Sequence, residues 1–379
     1  MFPLTIQRTN RYLAPFSRFG SLARVLTVGA VLLAASACFG QNYGFDENQP
    51  FLPIPARSVS TIPTNGDVNP YGTTIIGGKF QGGTGPLVHG DLLVSNFNNS
   101  MNLQGTGTTI IRIPAKGGGP TVFFQSTSSQ TGLSAALGTL QKGFVLVGSL
   151  PTIDGTSATA NPGSLLVINN QGKEIQSFSG PSIQGPWDMA VVDENEHAVV
   201  FISNALTGTI TRLKFEVNQY GLTLENSAIV ATYGHIGNPA ALFLAPGGLV
   251  YDSSRDRLYV ASALDNEIFA VKEARERTTD AGTGTLIYQD NVHLHGPLGM
   301  VMAPNGHLLV ANADSNNVDP NQPSELVEFT IDGRFVKQLS VDPVNAGAFN
   351  LTVHAGRERA ILAAVDDNTN TVTIWQITE

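Results

Sequence analysis

Residues 295–318, HGPLGMVMAPNGHLLVANADSNNV, decide the fold of this chain because their pattern returns elsewhere in it. A Gly-Pro step opens the stretch, two short apolar runs follow on either side of the turn PNG, and small polar residues close it. The pattern recurs as GPWDMAVVDENEHAVVFISNALTGTITRL at 185–213 and as APGGLVYDSSRDRLYVASALDNEIFAV at 245–271. Recurrence at a nearly fixed spacing is typical of a protein built from structural repeats.

The repeats number six when they are aligned on their opening turns. Proline marks four of the openings, at Pro70, Pro186, Pro246 and Pro297. A copy without proline, TGLSAALG at 131–138, fills the wide interval between the first two, and a last copy begins near NAGAFNLTV at 345–353. The repeat length is therefore roughly 50–60 residues, which suits the blade of a β-propeller.

Each repeat has room for four antiparallel strands, named A to D here in chain order. Strands A and B are the two apolar runs, and strands C and D form hairpins around turns such as Asn-Gln-Gly in 163–178. The last repeat ends after strands B and C, whereas the alternating segment ARSVSTIPT (56–64) precedes the first repeat and has no place in it. We predict an all-β, six-bladed β-propeller over residues 56–379, with four-stranded antiparallel blades, in which 56–64 supplies the missing strand D and closes the ring.

The N-terminus, residues 1–37, is predicted to be a signal peptide. Several arginines precede the apolar run VLTVGAVLLAASA (25–37), which is too short to span a bilayer comfortably and ends in small residues that suit a signal peptidase. Cys38 is the only cysteine, and it is either lipidated after cleavage or a bystander near an ordinary cleavage site. Either way we expect an extracytoplasmic chain, periplasmic or secreted, without a disulfide or a membrane span, in which the Pro-rich segment 38–55 is a linker.

The composition excludes several classes of function. Only 13% of the residues are charged, and 40 glycines and 21 prolines argue against long amphipathic helices. The formal net charge is −9 and no run of lysine or arginine is present, so nothing in the chain could neutralise a phosphate backbone. We therefore expect no nucleic-acid partner.

The stretch GPLGMVMAPNGHLLVANADSNNV, together with LVEFTIDGRFV further on, resembles an NHL-type repeat. Over roughly residues 70–379 the chain is similar to six-bladed propellers that include regucalcin/gluconolactonase-like and streptogramin-lyase-like proteins. The gluconolactonase resemblance implies a metal ligated in part by a Glu-Gly-Pro motif that opens an early blade. The openings here (NPYG, GPWD, GPLG) contain no Glu, while Asn204 and Asn312 match the family's Asn ligands and Asp366 or Asp367 its late-blade Asp.

Long polar loops point to a binding face. The connections between strands B and C are long and polar at 96–108, 150–163 and 312–324, whereas the A–B turns are mostly tight. In a propeller the B–C and D–A connections meet at one mouth of the central channel, and long loops in a compact domain are often functional. We predict that this loop-rich face binds a small molecule, a glycan or a protein.

Two sets of residues are candidates for that binding. Trp187 and Asp188 could form an aromatic floor and a hydrogen-bonding acid, or instead a buried anchor and a turn cap. Strand B ends in small polar residues that either present oxygens to a cation or to sugar hydroxyls, or only tie down neighbouring loops. The members of this ring are Asn96, Ser149, Asn204, Ser262 and Asn312.

A metal-binding alternative involves the histidines that precede strand A. His293 and His295 form a His-x-His step, and His235 lies at the equivalent place one repeat earlier. Together with Asp188 they are candidate ligands for Zn, Mn or Ca, although these histidines could equally be ordinary loop residues. The sequence leaves open two functions: a non-catalytic binding scaffold that acts through the loop-rich face, and a metal-dependent hydrolase or lyase with its metal at the channel mouth.

Overall fold

A computed structural model describes residues 45–54, 57–128, 131–356 and 359–378. The predicted signal peptide and Cys38 lie outside the described residues. No helix within the described ranges is both long enough and apolar enough to cross a membrane.

The described residues form six four-stranded antiparallel sheets. Blade 1 contains β2 (Val68–Ile75), β3 (Leu92–Asn98), β4 (Thr109–Ile113) and β5 (Thr121–Gln125). Blade 2 contains β6 (Leu133–Leu140), β7 (Phe144–Ser149), β8 (Ser164–Asn169) and β9 (Glu174–Phe178). Blade 3 contains β10 (Pro186–Asp193), β11 (His197–Asn204), β12 (Thr209–Asn218) and β13 (Gly221–Thr232). Blade 4 contains β16 (Pro246–Asp252), β17 (Arg257–Ser262), β18 (Glu267–Lys272) and β19 (Thr285–Gln289). Blade 5 contains β20 (Pro297–Met302), β21 (Leu308–Asn312), β22 (Glu325–Phe329) and β23 (Phe335–Ser340). Blade 6 contains β24 (Ala348–Ala355), β25 (Arg359–Asp366), β26 (Thr371–Thr378) and the N-terminal strand β1 (Arg57–Ser60).

Strand β1 closes the ring as predicted. It pairs antiparallel with β26, with Val59 opposite Val372 and Arg57 opposite Ile374. Val59 packs against a buried cluster shared by blades 1 and 6, so that the closing strand contributes apolar contacts as well as ladder hydrogen bonds. The prediction of a six-bladed propeller closed from the N-terminus is confirmed.

Apolar clusters lie between neighbouring blades, because each sheet buries both of its faces against the next. One cluster, for example, joins Leu146 and Val167 of blade 2 to Val200 and Phe215 of blade 3. Equivalent clusters join each of the remaining pairs of adjacent blades in the described part of the chain. The alternation of apolar residues in each repeat is thus explained by burial between sheets.

Every strand A is interrupted by a register shift near its start, for example between Pro297 and Met300. The strands crowd the channel there, and a Cβ atom on Gly299 would lie 2.6 Å from the Oδ1 atom of Asn350. Glycine at this step is therefore required by close backbone approach.

Two segments carry structure that the repeat pattern does not contain. Residues 233–245 include a short hairpin formed by β14 (Ile236–Asn238) and β15 (Leu242–Leu244). Residues 45–54, within the predicted linker, have no regular structure but are docked: the Phe51 and Leu52 side chains are buried, and both backbone amides donate to the carboxylate of Glu328. This part of the segment belongs to the propeller.

Candidate functional site

The loop-rich face, formed by the B–C and D–A connections, holds interlocked loops. The hydroxyl of Thr152, in loop 150–163, donates to the backbone oxygen of Gln104 at 2.5 Å. The side-chain amide of Gln104 in turn donates to the backbone oxygen of Ala240 at 3.2 Å. Two of the long loops and the inserted hairpin therefore form one canopy over blades 1 to 3. The B–C loop of blade 5 faces them across the channel mouth.

A pocket of about 170 Å³ lies at this mouth, between the canopy and blades 5, 6 and 1. Sites for drug-sized ligands typically have volumes of about 300–1,000 Å³. Because this pocket is smaller, it suits a molecule of a few heavy atoms. Its lining comprises Asn69, Tyr71, Asn98, Asn102, Gln104, Ala240, Ala241, Phe243, Ala263, Leu298, Ala313, Asp314, Ser315, Ala346, Phe349 and Asp367.

The floor of the pocket is aromatic. Tyr71 and Phe349 lie near the start of strand A in blades 1 and 6, and their ring centroids are 5.3 Å apart in an edge-on arrangement. Beneath them, Phe97 stacks on Tyr71 at 5.1 Å and Trp187 meets Tyr71 edge-on at 5.4 Å. This layer plugs the channel: Tyr71, Trp187 and Phe349 lie within the register shifts of their strands A, and Phe97 lies on strand B of blade 1.

The pocket wall is rich in hydrogen-bond acceptors. Asn69, Asn98 and Asp314 are each at least nine-tenths buried, and each has a side-chain Oδ1 atom without a partner. The other Asp314 oxygen accepts the backbone amides of Ser324 and Ala346, which fix the carboxylate in place. Buried acceptors without donors are costly, so a ligand that carries donors would satisfy them.

Two carboxyl groups of the wall, those of Asp314 and Asp367, form no ion pair with the residues that the structure describes. Burial raises the pKa of Asp367 to about 7, the Asp366 carboxylate adds to that increase, and no hydrogen bond lowers it. Burial also raises the pKa of Asp314, against the opposing effect of its two backbone hydrogen bonds and of His295. Behind Asp314, burial raises the pKa of Glu325 to about 7. All three groups would be stabilised as carboxylates by a positive charge nearby.

Trp187 and Asp188 are separated by the bulge in strand A of blade 3. The Trp187 side chain is 1% exposed within the plug, below the pocket floor. Asp188 lies beyond the plug, lining the central channel that opens toward the opposite face, where burial raises the pKa of its carboxyl well above the usual range. The two residues do not form a floor and an acid for one ligand.

The polar residues that end strand B are used to hold loops. Asn204 donates to the hydroxyls of Thr209 and Thr211, and its Oδ1 accepts the amide of Gln184. Asn96 and Asn312 are fully buried, and their side-chain amides donate to the backbone oxygens of Thr61 and His293. These contacts correspond to the loop-anchoring alternative, and they leave the ring without an accessible oxygen cluster.

The candidate histidines are separated from Asp188 by the plug. His293 stacks on Phe335, and its Nδ1 atom lies 2.5 Å from the Asp290 carboxylate. His295 is 1% exposed with its Nδ1 atom 2.5 Å from the backbone oxygen of Asn317, while His235 is exposed beside the inserted hairpin.

The residues that the gluconolactonase resemblance assigns to a metal do not fit one. The Oδ1 atoms of Asn204 and Asn312 already accept backbone amides, from Gln184 and His295. Within the described ranges, moreover, no group of three or more His, Cys, Asp or Glu side chains is arranged to hold a metal ion. No catalytic step is therefore derived through a metal at this ring.

The residues that form the pocket were mostly missed from the sequence. Tyr71 and Asn69 belong to the opening NPYG, and Asn98 to the polar run NFNNS, so they could have been found by asking which side chains flank the predicted channel mouth. Phe243 could not, because it lies on the inserted hairpin, which has no counterpart in the other repeats.

The fold places the chain among six-bladed propellers of very different sequence. No family model matches the sequence, and no curated protein matches it. An α-L-arabinofuranosidase from Fusarium graminearum, solved with an iminosugar inhibitor, superposes with a TM-score of 0.55 at 12% identity, covering 86% of this chain and 98% of that one. A gluconolactonase from Xanthomonas campestris superposes with a TM-score of 0.51 at 12% identity, over 86% and 90% of the two chains. A putative oxidoreductase (glucose dehydrogenase) from Thermus thermophilus gives 0.50 at 10% identity, over 85% and 100%. At these identities the likeness concerns the fold alone.

Proposed function

We propose that this propeller is a binding protein whose ligand, a small molecule with hydrogen-bond donors, occupies the pocket at the mouth of the loop-rich face. The observation that carries the proposal is the set of buried acceptor oxygens without partners, on Asn69, Asn98 and Asp314, above an aromatic floor. Concave sites with apolar floors and a few convergent polar groups are the usual form of small-molecule sites.

The geometry favours binding over the metal-dependent alternative. The ring that would hold a gluconolactonase-type metal is committed to loop anchoring, whereas the pocket has partnerless acceptors. The gluconolactonase neighbour makes a hydrolase the second candidate, but its similarity concerns the fold.

We further propose that the protein acts outside the cytoplasm, released or anchored through Cys38. This rests on the predicted signal peptide at 1–37 alone. Labelling cells that produce the full chain with radioactive palmitate would distinguish the two forms, since only the lipoprotein retains label that is lost in Cys38→Ala.

The test of the binding function is a thermal-shift screen of the purified protein against small amines, sugars, carboxylates and divalent metal chlorides. Ala241→Phe places a large side chain into the pocket, and Ala158→Phe makes the same change at an exposed position of the same face outside it. We expect at least one class of compound to raise the Tm of the wild type and of Ala158→Phe but not of Ala241→Phe. A shift in all three proteins, or in none, would contradict the proposal.

A further inference from the structure

The loop-rich face of this propeller differs from the opposite face in its charge. The B–C and D–A connections of the described chain contain neither lysine nor arginine. They contain aspartates at positions 67, 154, 265, 290, 314, 319, 342 and 367. The A–B and C–D connections of the opposite face carry both signs of charge: cations such as Lys79, Lys142 and Arg334, and acids such as Glu194 and Glu276. In a concave site lined by one sign of charge, the field is focused and draws in ions of the opposite sign.

The pocket lies at the centre of the anionic face and has no cation of its own. His235, His293 and His295 are the titratable bases among the described residues of these connections. His293 is already paired with Asp290, and His295 lies near Asp314 without a hydrogen bond to its carboxylate. The carboxylates of Asp314 and Asp367 therefore face the pocket with their charge uncompensated by an ion pair.

Building on the proposed function, we infer that the ligand of this pocket is a small organic cation, an amine or a quaternary ammonium compound. Asp314 and Asp367 supply its counter-charge, and the oxygens of Asn69 and Asn98 accept its donors. The rings of Tyr71 and Phe349 line the pocket and supply an aromatic surface of the kind that holds ammonium groups by cation–π attraction.

The lining distinguishes an organic cation from a bare metal ion. Calcium takes about six to eight oxygen ligands. Here aromatic and aliphatic groups line much of the cavity, including Tyr71, Phe243, Leu298 and Phe349, and these groups would not replace the water around a metal ion. They would instead contact methyl or methylene groups of an organic cation. A neutral ligand would satisfy the acceptors but would leave both carboxylates without a counter-charge.

The test compares choline with 3,3-dimethylbutan-1-ol, which has the same shape but carries carbon in place of the charged nitrogen. Isothermal titration is performed with the wild type, Asp314→Asn, Asp367→Asn and the pocket-filling Ala241→Phe. Asp319→Asn removes a charge from the same face outside the pocket and serves as the matched control. Calcium chloride alone is titrated in parallel.

We expect choline to bind at least about tenfold more tightly than its neutral isostere, and each pocket Asp→Asn variant to lose about tenfold in affinity. Asp319→Asn should keep wild-type affinity, and Ala241→Phe should lose it.

Preference for neutral or anionic compounds that Ala241→Phe abolishes would overturn the cation inference and leave the binding function standing. Binding of calcium alone, dependent on Asp314 and Asp367, would overturn it in favour of an inorganic ion. If choline binds Ala241→Phe as tightly as the wild type, its binding site lies outside the pocket, and the inference is overturned. Absence of binding by every class would contradict the proposed function itself.

Discussion

At the scale of single residues, the site depends on carboxyl groups that the fold buries without cations. Asp367 follows the last residue of β25, and its backbone amide bonds to the oxygen of Gly347, which directs the residue to the channel mouth. Its carboxyl is destabilised as an anion by burial and by Asp366. Such groups lower stability in the absence of ligand, a cost that proteins accept at functional sites.

We expect Asp367→Asn to stabilise the unliganded protein at pH 8 by about 2 kcal/mol, a value discounted for partial exposure. The folded pKa of about 7 lies above the unfolded value of 3.8, so the folded state holds its proton longer. The wild type therefore loses stability as pH rises from about 4 to 7, and the variant lacks that loss. Urea unfolding at pH 4, 6 and 8 measures the difference. A gap between the proteins that does not grow with pH would contradict it.

The affinity for an organic cation should depend on pH through the same group. Below about pH 7 Asp367 is protonated in the free protein, so a cation must displace that proton, and choline affinity should fall as pH decreases. Asp366 and the Tyr71 hydroxyl are its titratable neighbours, and burial keeps the pKa of Tyr71 well above 10. Titration from pH 8 to 5.5 should show about a tenfold loss for the wild type and a smaller loss for Asp367→Asn. Equal losses would assign the effect to another group.

The sequence predicted a site at the mouth of the channel, but of the residues it indicated, Asp188 lies on the other side of the aromatic plug. Trp187 and Asp188 are adjacent, and nothing in the letters shows that the register shift between Pro186 and Met189 sends them to opposite sides of the plug. The strand-B asparagines were recognised as a ring, but whether an amide faces a ligand or a backbone oxygen depends on loops whose course the sequence does not specify.

At the scale of elements, the repeat pattern determines the blades while the insertions determine the site. Strand B of each repeat was predictable because its apolar run recurs. The closing strand was predictable because one blade lacked a fourth strand. The hairpin β14–β15 and the docked segment 45–54 were not, because each occurs once and derives its stability from contacts distant in sequence, such as the Phe51 amide with Glu328.

The canopy should loosen when its central hydrogen bond is removed. Thr152→Val keeps the shape of a fully buried side chain but removes the hydroxyl that donates to Gln104 and accepts from the amide of Gly155. We expect a loss of about 1–3 kcal/mol and faster amide exchange in residues 99–106. Thr156→Val, an exposed change in the same loop, is the control for hydrogen-exchange mass spectrometry. Unchanged exchange in 99–106 would show that the loops are held by other contacts.

The closing strand should be sensitive on its buried side only. Val59→Asp places a charge in the cluster between blades 1 and 6, whereas Ser58→Asp, on the adjacent exposed position, does not. We expect Val59→Asp to lower the free energy of unfolding by about 2–3 kcal/mol and Ser58→Asp to change it by about 0.5 kcal/mol or less. Urea unfolding measures both effects, and a loss of about 0.5 kcal/mol or less in Val59→Asp as well would mean that β1 is dispensable for closure.

At the scale of the whole molecule, the ring separates two tasks. Contacts between blades hold the fold, and the opposite face carries the cations that balance part of the net charge of −9. The loop-rich face is left anionic around one pocket, so that a cation entering from solution is attracted to the mouth from several directions. Composition alone led to the expectation of no nucleic-acid partner. The division of charge between faces became visible only when the blade order placed each loop on its side.

This arrangement predicts a dependence on salt. Raising the ionic strength from about 0.02 to 0.5 M should weaken choline binding about three- to tenfold, because exposed aspartates around the mouth are screened while the buried pair is affected less. Binding of the neutral isostere should be unaffected. Titration at both ionic strengths measures the effect, and an unchanged choline affinity would show that only contacts within the pocket contribute.

A crystal structure with a bound ligand would show whether the pocket above Tyr71 and Phe349 holds a small organic cation. Crystals of the protein soaked with 3-bromopropylammonium, whose N–H groups are donors, would show the bromine by its anomalous scattering. We predict a single strong peak in the pocket, with the ammonium group within about 6 Å of the Tyr71 or Phe349 ring centroid and in contact with Asp314 or Asp367. A peak beyond the plug beside Asp188, or no peak at concentrations that saturate binding in solution, would contradict the account.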